Sequence, residues 1–197
     1  MKKWVPFVLM LLLGVFLLFP LLTSEDQFVN DYEEFWADRE TFFRDNSASP
    51  FVEKETTFKS LNLYPPDEKY VVSASLERYS KREVLRIVSS DDTEKAYLKF
   101  GQIHFTFDDE KQSLVLLKEL SFRGQYFLGF GDSTSGGSTY GGGRYMDVVV
   151  GKSDRLTLDF NRAYNPYCAY FDDYVCPLPP IENLLDIAIE AGEKNYH

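Results

Sequence analysis

Apolar and polar positions recur along this chain with two different periods. Between residues 25 and 45 the period is helical. Phe28, Tyr32, Phe35, Trp36, Phe42 and Phe43 gather near one stripe, and Asp31, Glu33, Glu34, Asp38 and Glu40 populate the other side. This spacing predicts an amphipathic helix over 25–45 whose stripe is a core face. Glu25 and Asp26, following Ser24, place negative charge at the positive end of the helix dipole. The run Asn46-Ser47-Ala48-Ser49-Pro50 stops the helix. From Tyr70 the period falls to two: Tyr70, Val72, Ala74 and Leu76 alternate with Val71, Ser73, Ser75 and Glu77, the pattern of a half-buried strand.

Further strands are expected over 84–88, 125–130, 144–150 and 156–160, with a last alternation of Leu185, Ile187 and Ile189 closing the chain. Leu98 and Phe100 share one parity while Ile103, Phe105 and Phe107 share the other, so the slip at Gly101 predicts a bulge or a break. The polar residues 108–111 turn the chain into a returning strand that begins at Leu114 and Leu116, a hairpin over 102–118. The expected fold is mainly β: a single antiparallel β-sandwich or barrel-like domain over 25–197 with an N-terminal amphipathic helix.

A third kind of segment precedes that domain. Lys2 and Lys3 lead into an apolar run over 4–22, interrupted only by Pro6, Gly14 and Pro20. A helix of that length extends about 28 Å, near the hydrocarbon thickness of a bilayer. Residues 1–24 are therefore expected to be a membrane-anchor helix (a signal-anchor), with a cleaved signal peptide as the alternative, although Leu22-Thr23-Ser24 is a poor cleavage site. The lysines at the start and the acids from Glu25 onward place 25–197 outside the cytoplasm, single-pass if anchored and secreted or periplasmic if cleaved.

Charge narrows the partners. All 31 acidic residues and 19 of the 21 basic ones lie beyond the apolar run, a net charge of −12 on the domain. Such a surface repels the phosphate backbone, so no nucleic-acid partner is expected. The partners left are the membrane through residues 4–22 and a cell-envelope protein or small-molecule ligand.

Candidate chemistry concentrates between Gly124 and Gly192. Nine of the twelve glycines fall between Gly124 and Gly151. The loop from Gly136 to Arg144 invites a phosphate-cradle reading, but Gly143 and Arg144 stand where a P-loop needs Lys and then Ser or Thr. Gly129-Phe130-Gly131 is followed by Thr134 where a dinucleotide fingerprint wants glycine. No cofactor is therefore expected, and a loop whose glycines let chain segments approach closely is the better reading. Only His104 and His197 exist, which excludes a histidine-rich metal site, and Cys168 and Cys176 alone do not make a zinc site. The two cysteines, with seven residues between them, are a candidate disulfide in an oxidising compartment, against the alternative of two reduced buried thiols.

Specific segments carry a family likeness. They are Asp132 with Thr134; Thr139-Tyr140-Gly141-Gly142-Gly143-Arg144-Tyr145; Asp159-Phe160-Asn161-Arg162-Ala163-Tyr164-Asn165-Pro166 with Cys168; and Cys176-Pro177-Leu178-Pro179-Pro180 with Glu182-Asn183 and Ala191-Gly192-Glu193. In these the chain resembles the bacterial domain-of-unknown-function 1684 family, with a likeness that runs from the helix around Arg39 to Lys194, nearly the whole of 25–197. The resemblance implies a shared fold and no established catalytic or binding residue. Asp132, Tyr140, Arg144, Asp159, Asn161, Asn165, Glu182 and Asn183 are the candidate ligand-binding residues. A membrane-tethered binding domain outside the cytoplasm is the expected function. The alternative is a hydrolase whose pocket gathers Arg144, Asp159, Asn165 and Glu182.

Overall fold

The computed structural model describes residues 24–121 and 124–197. The segment expected to anchor the chain, 4–22, lies outside the described residues, and among the described residues no helix is long and apolar enough to cross a membrane. The chain divides into two units between Arg39 and Glu40. Helix α1, Ser24–Asp45, has Glu25 and Asp26 in its first turn and Arg44 in its last. In the first unit Phe35 and Trp36 meet edge to face at 5.0 Å.

In the second unit the expected stop after α1 is built as a pair of caps. The Asn46 side chain accepts from Ala48 N–H at 2.9 Å. Ser49 donates its hydroxyl to the Phe43 carbonyl at 2.7 Å, which satisfies one orphan acceptor of α1, and accepts from Phe51 N–H at 3.2 Å as N-cap of the short helix α2, Pro50–Glu53. Pro50, whose missing N–H costs nothing at a helix start, opens α2. The turn brings Phe43, Phe51, Phe58 and Tyr170 into one ring cluster with centroids 5.0–5.6 Å apart.

The sheet that follows consists of β1 (Val71–Val88), β2 (Glu94–Phe107), β3 (Glu110–Glu119), β4 (Tyr126–Phe127) and β7 (Arg155–Asp159), in the order β4-β3-β2-β1-β7. All pairings are antiparallel. The predicted hairpin is present: Phe107 pairs with Glu110 across Asp108 and Asp109, both at positive φ (48° and 64°) as a two-residue hairpin turn requires. The predicted slip is present too. Registers shift between Lys99 and Gly101 on β2–β3 and between Arg78 and Glu83 on β1–β2. Gly101 is required there because an added Cβ would stand 2.5 Å from the Glu77 carbonyl oxygen.

Three expectations need correction. Residues 71–88 form one long bent strand, since the irregularity after Arg78 is absorbed as a register shift without a break. Of 144–150 only Arg144–Tyr145 is a strand (β6), pairing with β5, Gly129–Phe130, in a separate ribbon. Residues 185–189 form no strand: Leu185 N–H bonds to Gly131 O, and the Ile187 and Ile189 carbonyls accept from Ser133 N–H and Arg144. Their two-residue period reflects burial of alternate side chains in an irregular segment.

The architecture is thus mainly β but not a closed barrel, because β4 and β7 end the sheet at opposite edges. Nor does a second full sheet face the first. Val72, Ala74 and Leu76 of β1, Ile103 and Phe105 of β2, and Leu114 of β3 pack instead against the ribbon and the chain after it, through Phe130, Met146, Phe160, Leu185 and Ile189. On the opposite side, beyond the bulges, Ile87, Tyr97, Val115 and Leu117 form a smaller core. Replacing Gly101 with Ala is expected to lower the unfolding free energy by about 1–3 kcal/mol through overpacking at the bulge, measured by urea denaturation.

Candidate functional site

The candidate residues divide into four places. The first is built around Arg144, which β6 carries into the interior: the guanidinium is fully buried. Its Nη2 donates to Asp132 Oδ2 at 2.7 Å and to the Ile189 carbonyl at 2.8 Å. Its Nη1 donates to the carbonyls of Ala191 and Glu193, and its plane stands 5.3 Å from the Phe130 ring centroid. Asp132 Oδ1 accepts from Thr134 N–H at 2.7 Å and from Thr134 Oγ1, which in turn meets Thr139 Oγ1 at 2.8 Å. A buried charge is tolerable only when paired and hydrogen-bonded, and this pair is both, with Arg144 Nε alone left without an acceptor among the described residues.

Asn165 stands beside this group. Its N–H donates to Glu193 Oε2 at 2.9 Å and its Nδ2 to the Lys194 carbonyl at 2.8 Å. Tyr170 donates its hydroxyl to the same carboxylate at 2.7 Å. Glu193 and Tyr170 carry no local signal as a pair in the sequence, because they are separated by twenty-two residues and brought together only by the fold.

Asp159 and Asn161 form a second place, at the end of β7. Asp159 caps a 3-10 turn through Asn161 N–H at 3.1 Å and pairs with Arg162 Nε at 3.1 Å, while Asn161 exchanges two 3.0 Å bonds with the backbone of Asp67. Asn183 occupies a third: it takes Val115 N–H at 2.6 Å and donates to the carbonyls of Val115 and Gly129. It therefore works as a splice between β3 and β5. Its neighbour Glu182 sits at the surface, 3.3 Å from Lys99 Nζ.

The fourth place holds Tyr140, Cys168 and Cys176. The cysteines are buried free thiols, with Cys168 N–H donating to Cys176 Sγ at 3.2 Å and Tyr140 donating its hydroxyl to Cys168 Sγ at 3.5 Å. The hydrogen bond from Cys176, aided by Tyr140 and Ser90, lowers the Cys168 thiol to about 7 against the desolvation that opposes it. The same bond to Cys168, followed by burial, raises Cys176 well above the usual thiol range. Burial likewise pushes the Tyr140 phenol up.

The glycine loop joins the first and fourth places. It leads into strand β6 and not into a helix, so it lacks the dipole of a phosphate cradle. It forms one wall of a cavity of about 320 Å³ shared with Asp132, Ser135, Leu178, Pro179, Leu184 and Leu185. Gly143 must be glycine: its φ is +82°, and a Cβ would stand 2.6 Å from both the Phe130 carbonyl oxygen and Pro179 Cγ. Asp132 is the one candidate ligand-binding residue on this wall, and Arg144, Asp159, Asn165 and Glu182 do not line it. Nor do those four share a hydrogen-bonded cluster: Asp159 and Glu182 pair with Arg162 and Lys99 respectively. Among the described residues no group of three or more His, Cys, Asp and Glu is placed to hold a metal ion.

Comparison with known proteins now bears on this geometry. The model of DUF1684, described as a protein of unknown function, matches residues 56–194. Among solved structures the chain is similar to an uncharacterised protein of Haloarcula marismortui determined by solution NMR, with 31% identity and a TM-score of 0.65, covering 87% of this chain and 96% of that one. No curated protein matches the sequence.

Replacing Arg144 with Met leaves the Asp132 carboxylate buried without its cation. That change is expected to lower the unfolding free energy by about 3–5 kcal/mol. Glu182→Gln, which removes only a surface pair, is expected to change it by less than about 1 kcal/mol. Chemical denaturation of the two variants side by side checks both values.

Proposed function

The chain belongs to the DUF1684 family, and we propose that its folded region is a ligand-binding domain, carried outside the cytoplasm by residues 4–22, that takes a small molecule into the glycine-walled cavity. The observation that carries this reading is that the glycine-rich loop forms the wall of a cavity that is also lined by Asp132, itself held by its pair with Arg144. A volume of about 320 Å³ is at the small end for ligand sites. Leu178, Pro179, Leu184 and Leu185 offer apolar contact. The polar groups left over are donors: the Asp132 carboxylate is occupied by Arg144 and Thr134, whereas the Ser135 hydroxyl and the N–H groups of Gly141 and Gly142 have no acceptor among the described residues. A compact apolar body bearing one acceptor group is the matching ligand.

A location outside the cytoplasm would also act on the thiols. A disulfide oxidant of the compartment would accept two electrons as Cys168 and Cys176 lose their protons and join, with the Cys168 thiolate as the attacking sulfur. The enzyme reading lacks comparable support, since its four residues share no cavity wall.

Two experiments test these proposals. In an amide-shift titration with benzoate, hexanoate and cyclohexanol, at least one probe is expected to perturb Ser135, Gly141, Gly142 and Leu184. Leu184→Glu and Gly141→Ala, each at a position with room for the change, should abolish that response while shifting stability by no more than about 0.5 kcal/mol. Responses that map elsewhere, or that survive both substitutions, overturn the cavity assignment. Protein recovered from its native compartment is expected to resist alkylation at both cysteines until a reductant is added; ready alkylation of untreated protein overturns the compartment.

A further inference from the structure

The outer face of the sheet presents a second site of different character. Where the inner face of β1, β2, β3 and β7 is apolar, the outer one carries two adjacent rows of polar side chains. The row Ser113, His104, Ser75 and Arg155 is continuous across β3, β2, β1 and β7, each residue directly opposite the next. Beside it lie two further opposed pairs, Lys111 with Thr106 and Ser73 with Thr157. All of these positions except Ser113 border a groove of about 1000 Å³, three times the volume of the glycine-walled cavity. It spans about 14 Å from β3 to β7 at the usual strand spacing.

Three properties define what fits it. First, its charge opposes that of the molecule: in a domain with net charge −12, the two rows hold Lys111, Arg155 and His104 and no acid. Neither Lys111 nor Arg155 has a carboxylate partner among the described residues. The next residue along this face of β1, Glu77, stands 3.3 Å from His104 Nε2. A cationic island on an acidic surface concentrates an anion locally. Second, Ser73, Ser75, Thr106 and Thr157 supply hydroxyls that both donate and accept. Third, neither row contains Phe, Tyr or Trp, and Phe105 at the groove's border is buried in the main core, so the rows offer no ring platform for a nucleobase.

We infer that this groove binds a small anionic polyol, a sugar bearing a phosphate or carboxylate group, with Arg155 or Lys111 engaging the acid and the hydroxyl rows engaging the sugar. The ligand differs from that of the glycine-walled cavity, and the site stands independently of it.

The test is a titration of the full chain, read by amide shifts and calorimetry, with glucose 6-phosphate, gluconate, glucose and inorganic phosphate. Saturable binding of glucose 6-phosphate or gluconate is expected, with shifts at Ser73, Ser75, His104 and Thr157, and the responding compound identifies the acid group. Glucose and inorganic phosphate are each expected to bind at least about tenfold more weakly, since each satisfies half of the face. Arg155→Ala or Lys111→Ala, both at exposed positions, is expected to weaken the anionic sugar by at least about tenfold without unfolding the protein. Glucose binding as well as its phosphate removes the role of the cations and overturns the inference. Inorganic phosphate binding as well as the sugar phosphate removes the role of the hydroxyls, with the same result. Absence of saturable binding by both anionic sugars, or binding untouched by both substitutions, overturns it as well.

Discussion

The Arg144 guanidinium organises the half of the domain that has little regular structure. After β3 the described residues form only short strands, 3-10 turns and loops. Such a segment cannot satisfy its own backbone groups by a repeating ladder. Arg144 supplies part of that missing satisfaction by reaching three successive alternate carbonyls, those of Ile189, Ala191 and Glu193, while its charge is neutralised by Asp132. A lysine has no planar fork with which to reach a carboxylate and several carbonyls at once. The desolvation cost of the guanidinium is offset only when all these acceptors are in place, so the arrangement is cooperative. Gly143, immediately before it, lets the loop approach Phe130 and Pro179 closely enough to deliver the side chain.

The sheet provides the rigid counterpart. Its bulges at Gly101 and after Arg78 change which side of the strands faces the main core, so one continuous sheet supports a large core on one side and the Ile87–Tyr97–Val115–Leu117 core on the other. Asn183 ties the two layers together, because its amide bonds to both β3 and β5. The stretch of outer face bearing Ser75 and His104 is left in solvent, where polar side chains need no partner from the protein. Structural demand thus accounts for most of the asparagines and acids that look functional in the chain. Asn161 and Asp159 each satisfy backbone donors that the irregular segments leave open, and Asn183 satisfies one on β3.

Much of the fold is legible in the residues alone. Helix α1, the hairpin from β2 to β3 and the irregularity at Gly101 all follow from local periodicity, which reports directly on which face is buried. The same rule misleads at 185–189, where alternate burial occurs with only isolated backbone bonds to 131–133 and no strand ladder. It also cannot distinguish a closed barrel from an open sheet with an irregular cover, since both bury one face of each strand. The candidate site was legible only as a neighbourhood. Asp132, Arg144 and the glycines do converge, but Asp159 and Glu182 serve separate turns and pairs, and the buried Glu193 becomes visible only through Tyr170 and Asn165.

Sequence by itself therefore determined the mainly β character, the amphipathic helix, the bulge and the acidic surface, because each depends on residue type and near-neighbour spacing. Tertiary structure alone decided that Arg144 is a buried tie, that the glycine loop walls a cavity, and that hydroxyls and cations of four strands share one face. The physical reason is that hydrogen bonding and charge pairing in the interior depend on distance in space, and residues separated by forty to fifty positions, such as Arg144 and the 189–193 carbonyls, carry no local trace of meeting.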